Sequence, residues 1–416
     1  MKNTLKILVS LMLAAVMVFA FAACGQSNPQ PSASSSDAVS DQPAADSEQP
    51  ADSEQPASTA KIAVITSAAG QNDNGYNQSA VVGLQKVAQE FGAETKVVET
   101  EDIDGALKAL AEEGYNMIFS LEYNFEALIN GVGGEAPIAE QYPDTTFVVF
   151  NAEPNKDESG NTIQSNVISV LFDVHEASFL AGALAAQVIE NQDVLFDDSH
   201  ALTPADDGGR TVGFIGGTNS AGITVFSYGF AEGVNYVAAE LGVDYKYYAD
   251  YSAGFSDSAT GSQIANTMYS QGANVVYACA GVVGDGVTAK ANELKKLAIQ
   301  VDANRDADQP GYILTSVLKN TEVPVYELSK ALIDGTLADK MGQSIFYSLG
   351  SGATGITDLA TIEASVQDSG KDKWEEIKAY VADLAAKIAD GTIKVTDAQS
   401  GESITSDDLS NVTIAE

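Results

Sequence analysis

The sequence predicts an α/β fold of two lobes, each a doubly wound parallel sheet with helices on both faces. Three observations predict it. From Lys61 onward, short apolar runs alternate with amphipathic stretches, the pattern of strands buried between helices. The alternation restarts after about residue 173, so one such unit is followed by a second. The chain has 416 residues and is 45% hydrophobic, enough length and apolar matter for two cores.

In the first unit the run 61–66 (KIAVIT) reads as a strand, followed by a Gly/Asn/Asp turn and an amphipathic helix over 79–91. Strands follow at 96–98, 117–120 and 146–150, separated by a helix over 105–113 and a glycine-broken helical stretch within 126–142. The second unit opens with a small-residue helix over 176–190. It continues with strands at 211–216, 245–249, 274–280 and 312–317, and helices over 224–241, 259–271 and 287–297. A strand-like 344–349 and a helix over 371–390 come later, which predicts that the chain crosses between lobes more than once. The expected lobes are 59–172 with a return segment at about 317–343, and 173–316 with a C-terminal segment at about 344–416. Parallel sheets of this kind bind ligands beyond the carboxyl ends of their strands, which sets the expected cleft between the two.

The N-terminus precedes this body as a leader. Lys2 and Lys6 flank the uncharged apolar run 7–23, and the segment 1–23 reads as a signal peptide. At 17 residues the run falls short of the roughly 20 that a membrane span needs. Its end, Phe21-Ala22-Ala23-Cys24-Gly25, resembles a bacterial lipobox, which implies cleavage before Cys24 and a lipid on that cysteine. Residues 24–58 continue as an acidic Ser/Pro/Ala linker in which ADSEQP occurs twice in tandem. Such a composition buries nothing and self-repels, so it is expected to be a disordered tether.

Charge narrows the function classes. There are 58 acidic and 21 basic residues, a formal net charge of −37. The linker holds only six of the acids, so the folded body is itself acidic. A surface of this sign repels polyanions, which argues against nucleic acid as a partner and against a polybasic grip on lipid. The two histidines, His175 and His200, have no metal-ligand spacing, and no cofactor is expected. Cys279, in the apolar run 274–280, reads as a buried thiol.

Four stretches in the body carry a family resemblance. They are Gly70-Gln71-Asn72-Asp73-Asn74-Gly75-Tyr76-Asn77; Asn166 to Phe172 followed by Ser178-Phe179-Leu180-Ala181-Gly182; Gly229-Phe230-Ala231-Glu232-Gly233-Val234; and Val301-Asp302 with Ser316-Val317-Leu318-Lys319. In this order, behind a lipobox, they resemble the basic membrane lipoprotein family, the PnrA-like nucleoside-binding proteins of ABC transporters. That resemblance implies a two-lobe type I periplasmic-binding-protein fold with multiple interlobe crossovers. It also implies a nucleoside-like ligand, purine type first, and an ABC permease and ATPase as partners. It sets the protein outside the cytoplasm, held to the cell membrane by its lipid.

The same resemblance assigns roles. Tyr76 and Phe255 are expected to stack on the two faces of a base, with Asp73 and Asn77 supplying hydrogen bonds. Asp302 and Lys319 are expected to grip the ribose, and the chemistry suits it, since a carboxylate accepts both protons of a diol and an ammonium donates to its oxygens. Ordinary packing for the two aromatics, and a loop-bridging ion pair for the two charges, are the bland alternatives. The turn Gly281–Gly286 reads either as a plain strand–helix turn or as backbone approaching a neutral ligand at Gly281. The chain departs from the family at Ser67 and Asn151, where carboxylates are usual. Ser and Asn both donate and accept, so the base edge recognised here differs and purine preference stays open, with riboflavin or another polyol-bearing heterocycle as the alternative.

An enzyme, such as a nucleoside hydrolase on a similar scaffold, needs a metal or an acid/base constellation that the acidic turn 250–257 does not offer. A binding protein that makes no chemical change is expected. The sequence leaves transport and ligand sensing both open.

Overall fold

The computed structural model describes residues 58–67, 69–122 and 124–415. The leader, Cys24 and the linker lie outside the described residues. The chain begins with β1 (Lys61–Thr66), α1 (Tyr76–Phe91), β2 (Glu94–Glu99), α2 (Ile103–Glu112) and β3 (Met117–Ser120). The glycine-broken stretch forms two single turns, α3 (Glu126–Ile129) and α4 (Ile138–Gln141), before β4 (Thr146–Phe150) and β5 (Val167–Phe172).

The chain then crosses into the second lobe. There it forms α5 (Val174–Glu190), α6 (Gln192–Leu195), β6 (Thr211–Gly216), α7 (Ala221–Leu241), β7 (Tyr245–Asp250) and α8 (Ser258–Ser270). It continues through β8 (Val275–Cys279), α9 (Val283–Leu294), β9 (Leu297–Asp302) and β10 (Ile313–Lys319). A second crossing leads to α10 (Glu322–Ile333) and β11 (Ser344–Tyr347) in the first lobe. A third returns it to β12 (Thr354–Ile356), α11 (Ala360–Glu363), α12 (Lys371–Ala389) and β13 (Val412–Ala415).

The first sheet has six strands in the order β11-β5-β4-β3-β1-β2, all parallel. The second has seven, β12-β10-β9-β8-β6-β7-β13, parallel except for β12. Strands β3, β4, β5, β6 and β8 are buried at every residue, as expected for sheets covered on both faces. In the first lobe α1 and α10 pack together on one face, while α2 and the turns α3 and α4 cover the other. In the second, α8 and α9 cover one face and α5 packs on α7 over the other.

Two of the motif stretches serve that α5–α7 contact. A β-carbon on Gly182 would lie 2.1 Å from the Phe230 carbonyl oxygen, and one on Gly233 would lie 2.0 Å from that of Phe179. Only hydrogen at both positions allows the two backbones to close in. One apolar cluster runs without a break from Ile62 and Phe172 of the first lobe to Phe214 and Tyr277 of the second.

Several boundaries differ from expectation. Ser344–Tyr347 pairs with β5 and belongs to the first sheet, not to the C-terminal segment of the second lobe. Val317–Lys319 remain in the second sheet, so the return segment begins after Lys319. The helix expected over 287–297 starts at Val283 and ends at Leu294. Lys295 there adopts φ +57°, and the Lys296 N–H donates back to the Ala291 carbonyl at 2.8 Å, which releases Leu297 to start β9. The first helix begins at Tyr76 rather than at residue 79 because Asp73 caps it.

Candidate ligand-binding site

The turn after β1 is built from its own polar groups. The Asp73 carboxylate accepts the backbone N–H of Gly75 at 3.0 Å, Asn77 at 2.9 Å and Gln78 at 3.1 Å, and the Asn77 amide at 3.0 Å. These are otherwise orphaned donors at the start of α1, and a carboxylate there also suits the helix dipole. Asn77 is wholly buried. Its amide oxygen accepts the Ser67 N–H, and its amide nitrogen donates to Ser67 Oγ, both at 2.8 Å. Ser67, Asp73 and Asn77 are thus brought together, and their polar groups hold one another.

That frame fixes Tyr76. Its hydroxyl accepts from the Asn151 amide at 2.7 Å and donates to the Leu121 carbonyl at 3.3 Å. Thr321 Oγ1, at the start of α10, donates to the Tyr76 carbonyl at 2.6 Å. The ring is left part-exposed at the carboxyl ends of β1, β3 and β4.

Lys319 ends β10 in the second lobe and is only 6% exposed. Its Nζ lies 5.2 Å from the centre of the Tyr76 ring and 5.5 Å from those of Phe172 and Phe226. Two of those rings belong to the first lobe and one to the second, so the ammonium sits where the lobes meet. No acceptor among the described residues lies within hydrogen-bonding reach of it. Burial pushes its pKa down, and the Asp302 carboxylate partly restores it. Ring faces attract a cation, yet they do not replace the hydrogen bonds that three N–H groups lost on leaving water.

Asp302 ends β9 with φ +73°, a left-handed conformation that aims the residue out of the strand line. It abuts the start of α1, where a β-carbon on Gly75 would lie 3.3 Å from Asp302 Cβ. Burial raises its carboxyl pKa to about 6, with Lys319 pulling the other way and Asp73 adding to the rise. A charged pair of opposite sign is thus held close, with neither member in a salt bridge to the other.

Phe255 lies on the loop after β7 and is 40% exposed. Its ring rests on Gly217, where a β-carbon would come within 2.3 Å of Phe255 Cε1. Gly281, at φ +54°, passes under the same residue, and the Val282 N–H donates to the Phe255 carbonyl at 2.9 Å. Phe255 and Gly281 are therefore joined to each other at the carboxyl edge of the second sheet.

A cavity of about 510 Å³ opens beside the Gly75–Asp302 contact, lined by Asn74, Gly75 and Gln78 from the first lobe and by Ala303, Asn304 and Arg305 from the second. Another hollow, of about 390 Å³, lies at the amino ends of β6 and β7 and shares no residue with this region. Among the described residues no group of His, Cys, Asp or Glu is arranged to hold a metal ion. The sequence reading missed Phe172 and Phe226. Phe172 closes a motif stretch but is given no role there, Phe226 sits unmarked in a helix, and only the tertiary fold brings them to Lys319.

Comparison with known proteins gives the same direction. Residues 60–387 match a family model, Bmp, described as ABC transporter substrate-binding protein PnrA-like. An ABC transporter nucleoside-binding protein BmpA of Lactococcus lactis subsp. cremoris is 29% identical over 359 residues, covering 80% of this chain and 88% of its own. An uncharacterized lipoprotein of Pyrococcus furiosus is 26% identical, covering 82% of this chain and 86% of its own. The crystal structure of an ABC transporter solute-binding protein from Aeropyrum pernix K1 shares the fold, with a TM-score of 0.65 and 23% identity, over 81% of this chain and 93% of that one.

Proposed function

The chain belongs to the Bmp family of PnrA-like ABC transporter substrate-binding proteins, and from that premise we propose that it captures a nucleoside between its lobes for a membrane permease and its ATPase. The observation that carries the reading is Lys319, a buried ammonium at the lobe junction with no hydrogen-bond acceptor among the described residues, beside a carboxylate whose pKa burial raises to about 6. A ligand that presents adjacent hydroxyls answers both groups, accepting from Lys319 and donating to Asp302. A neutral ligand is favoured, because a phosphate would meet Asp73 and Asp302 together.

In this reading Tyr76 and Phe255 are the plates for the base, one from each lobe, and stacking adds roughly 0.5–1.5 kcal/mol per face. Ser67, Asp73 and Asn77 frame the turn that carries Tyr76, Asn151 orients its hydroxyl, and Gly281 lets backbone pass beneath Phe255. The nucleoside-binding name of the Lactococcus lactis relative supports the ligand class. The lipoprotein name of the Pyrococcus furiosus relative supports a lipid on Cys24 that holds the protein at the outer face of the membrane. The reading assigns no reaction to the protein.

A thermal-shift screen on the Cys24→Ser protein tests it, using purine and pyrimidine nucleosides, free bases and riboflavin. A ligand that binds only the native state raises the melting temperature with its occupancy. Nucleosides are expected to do so and their free bases to do so less. Lys319→Met is expected to lower nucleoside affinity by about ten- to a hundredfold, the worth of hydrogen bonds to a charged group. A shift from free bases equal to that from nucleosides, or one unaffected by Lys319→Met, would overturn the sugar grip.

A further inference from the structure

The Asp302 carboxylate stands on a strained piece of backbone. Its φ of +73° accompanies a hydrogen bond from the Ala303 N–H to the Val301 carbonyl at 3.0 Å, which closes a three-residue γ-turn of the rare, positive-φ form. A residue with a β-carbon keeps such a turn only where its surroundings hold it there. The strand register sets Asp302 level with Leu318, the neighbour of Lys319. The direction of this turn therefore decides how the carboxylate meets the cleft.

The loop that follows supplies the hold. The Arg305 N–H donates to Ser316 Oγ of β10 at 3.0 Å, and that hydroxyl donates to Asp306 at 2.6 Å. The Arg305 side chain, 12% exposed, then reaches in two directions. Nε donates to the Asp308 carboxylate of its own loop at 2.7 Å, and Nη2 donates to Asp285 at 2.7 Å. Asp285 lies in the first turn of α9, and its N–H donates to the Val282 carbonyl at 3.1 Å. Val282 in turn holds the Phe255 carbonyl through its own N–H at 2.9 Å. One side chain thus joins the turn that presents Asp302 to the turn that carries Phe255. An ion pair largely removed from water adds little net stability, whereas a planar fork between two carboxylates fixes distance and angle.

We propose that Arg305 is a positioning residue for ligand binding: by bridging Asp285 and Asp308 it sets the spacing, within the second lobe, between the carboxylate that takes the sugar and the ring that covers the base. The proposal rests on the reading of the cleft as a nucleoside site. Arg305 acts through Asp302 and not by touching the ligand, so its worth depends on Asp302 being present. Asp285→Ala cuts the same tie while it leaves the Arg305 charge in place, which separates the geometry of the fork from the field of its charge.

The test is a double-mutant cycle on the full chain carrying Cys24→Ser, read by titration calorimetry with a nucleoside that raises the melting temperature. Arg305→Met is expected to lower affinity about tenfold, Asp285→Ala about fivefold, and the two together no more than about tenfold, because both cut one link. A merely structural role would not show coupling to Asp302. In the Asp302→Asn background, where the sugar's carboxylate is already gone, adding Arg305→Met should cost less than about threefold further. Each variant is first shown to unfold in a single transition; should Arg305→Met not fold, Asp285→Ala with and without Asp302→Asn carries the same test. Unchanged affinity in Arg305→Met and Asp285→Ala, losses that add in the double variant, or a loss as large without Asp302 as with it overturns the proposal while the nucleoside reading stands. Failure of every nucleoside to shift the parent's melting temperature overturns both.

Discussion

Replacing Asp302 by Asn separates what the site costs the fold from what it gives the ligand. The folded protein holds this carboxyl at a pKa of about 6, against an ordinary 3.8, because burial outweighs the pull of Lys319. Each pKa unit is worth about 1.4 kcal/mol, so a rise of roughly two units makes ionised Asp302 about 3 kcal/mol unfavourable to the folded state at neutral pH. Between the two pKa values the unfolded chain has released this proton and the folded chain retains it. The Asp302 contribution to stability therefore falls as pH rises from about 4 to 6, and stays low above that. An amide stands in for the neutral carboxyl at every pH, and Lys319 beside a neutral carboxyl is already the state from which the rise is measured. The figure is an upper bound, since part of the side chain remains accessible. Asn also tolerates the left-handed backbone, φ +73°, better than most residues.

Asp302→Asn is thus expected to raise the unfolding free energy by up to about 3 kcal/mol at pH 7 and by nothing below about pH 4. Denaturant midpoints of the ligand-free parent and variant across that pH range are the assay. Nucleoside affinity should fall at the same time by about ten- to a hundredfold, because the amide offers one acceptor where a diol needs two. A stability difference that stays flat across pH, or a variant less stable at pH 7, would refute the burial argument.

Three further outcomes are expected. Tyr76→Ala should weaken nucleoside binding at least about tenfold by titration calorimetry while the protein still unfolds in one transition; unchanged affinity removes Tyr76 from the site. Gly217→Ala displaces the Phe255 ring, whose Cε1 lies within 2.3 Å of the added carbon. Because the ring is half-exposed it moves at little cost, so affinity should drop several-fold with a melting temperature within about 2 °C of the parent. Cys24→Ser should move the protein from the membrane fraction to the soluble fraction of fractionated cells, and retention in the membrane would refute the lipid anchor.

The parts of this architecture that were legible in the sequence were those in which burial is local. KIAVIT, TFVVF and TVGFIG are apolar apart from polar residues at their ends, and each is an inner strand of a parallel stretch of sheet. The start of LAIQVD is less legible: the sequence reading carries the preceding helix through Leu297, since ANELKK holds no glycine or proline. The stop is conformational, at Lys295, and leaves no compositional mark. Edge strands were less legible still. Strand β13 joins β7 across more than 160 residues of chain, and neither segment announces the other. At the candidate site, Tyr76, Asp302 and Lys319 are named by the family resemblance, and each is a polar or aromatic residue in a context that stands out in one dimension. The ring faces around Lys319 are not legible, because no role marks Phe172 at the end of its motif stretch or Phe226 in its helix until the chain has crossed between lobes. Asp73 and Asn77 were singled out as hydrogen-bonding groups, and the structure engages both in the turn itself.

The placement of β11 and β13 has a consequence for the order of assembly. The first sheet takes its last member from residues 344–347 and the second from residues 412–415. A chain that emerges from its N-terminus onward therefore cannot finish either half early; even the half begun first waits for residues 344–347. Until then both sheets expose an unpaired rim, the condition under which partly folded chains stick to one another. Neither half is therefore a finished folding unit until the strand that closes its sheet, β11 or β13, has been made.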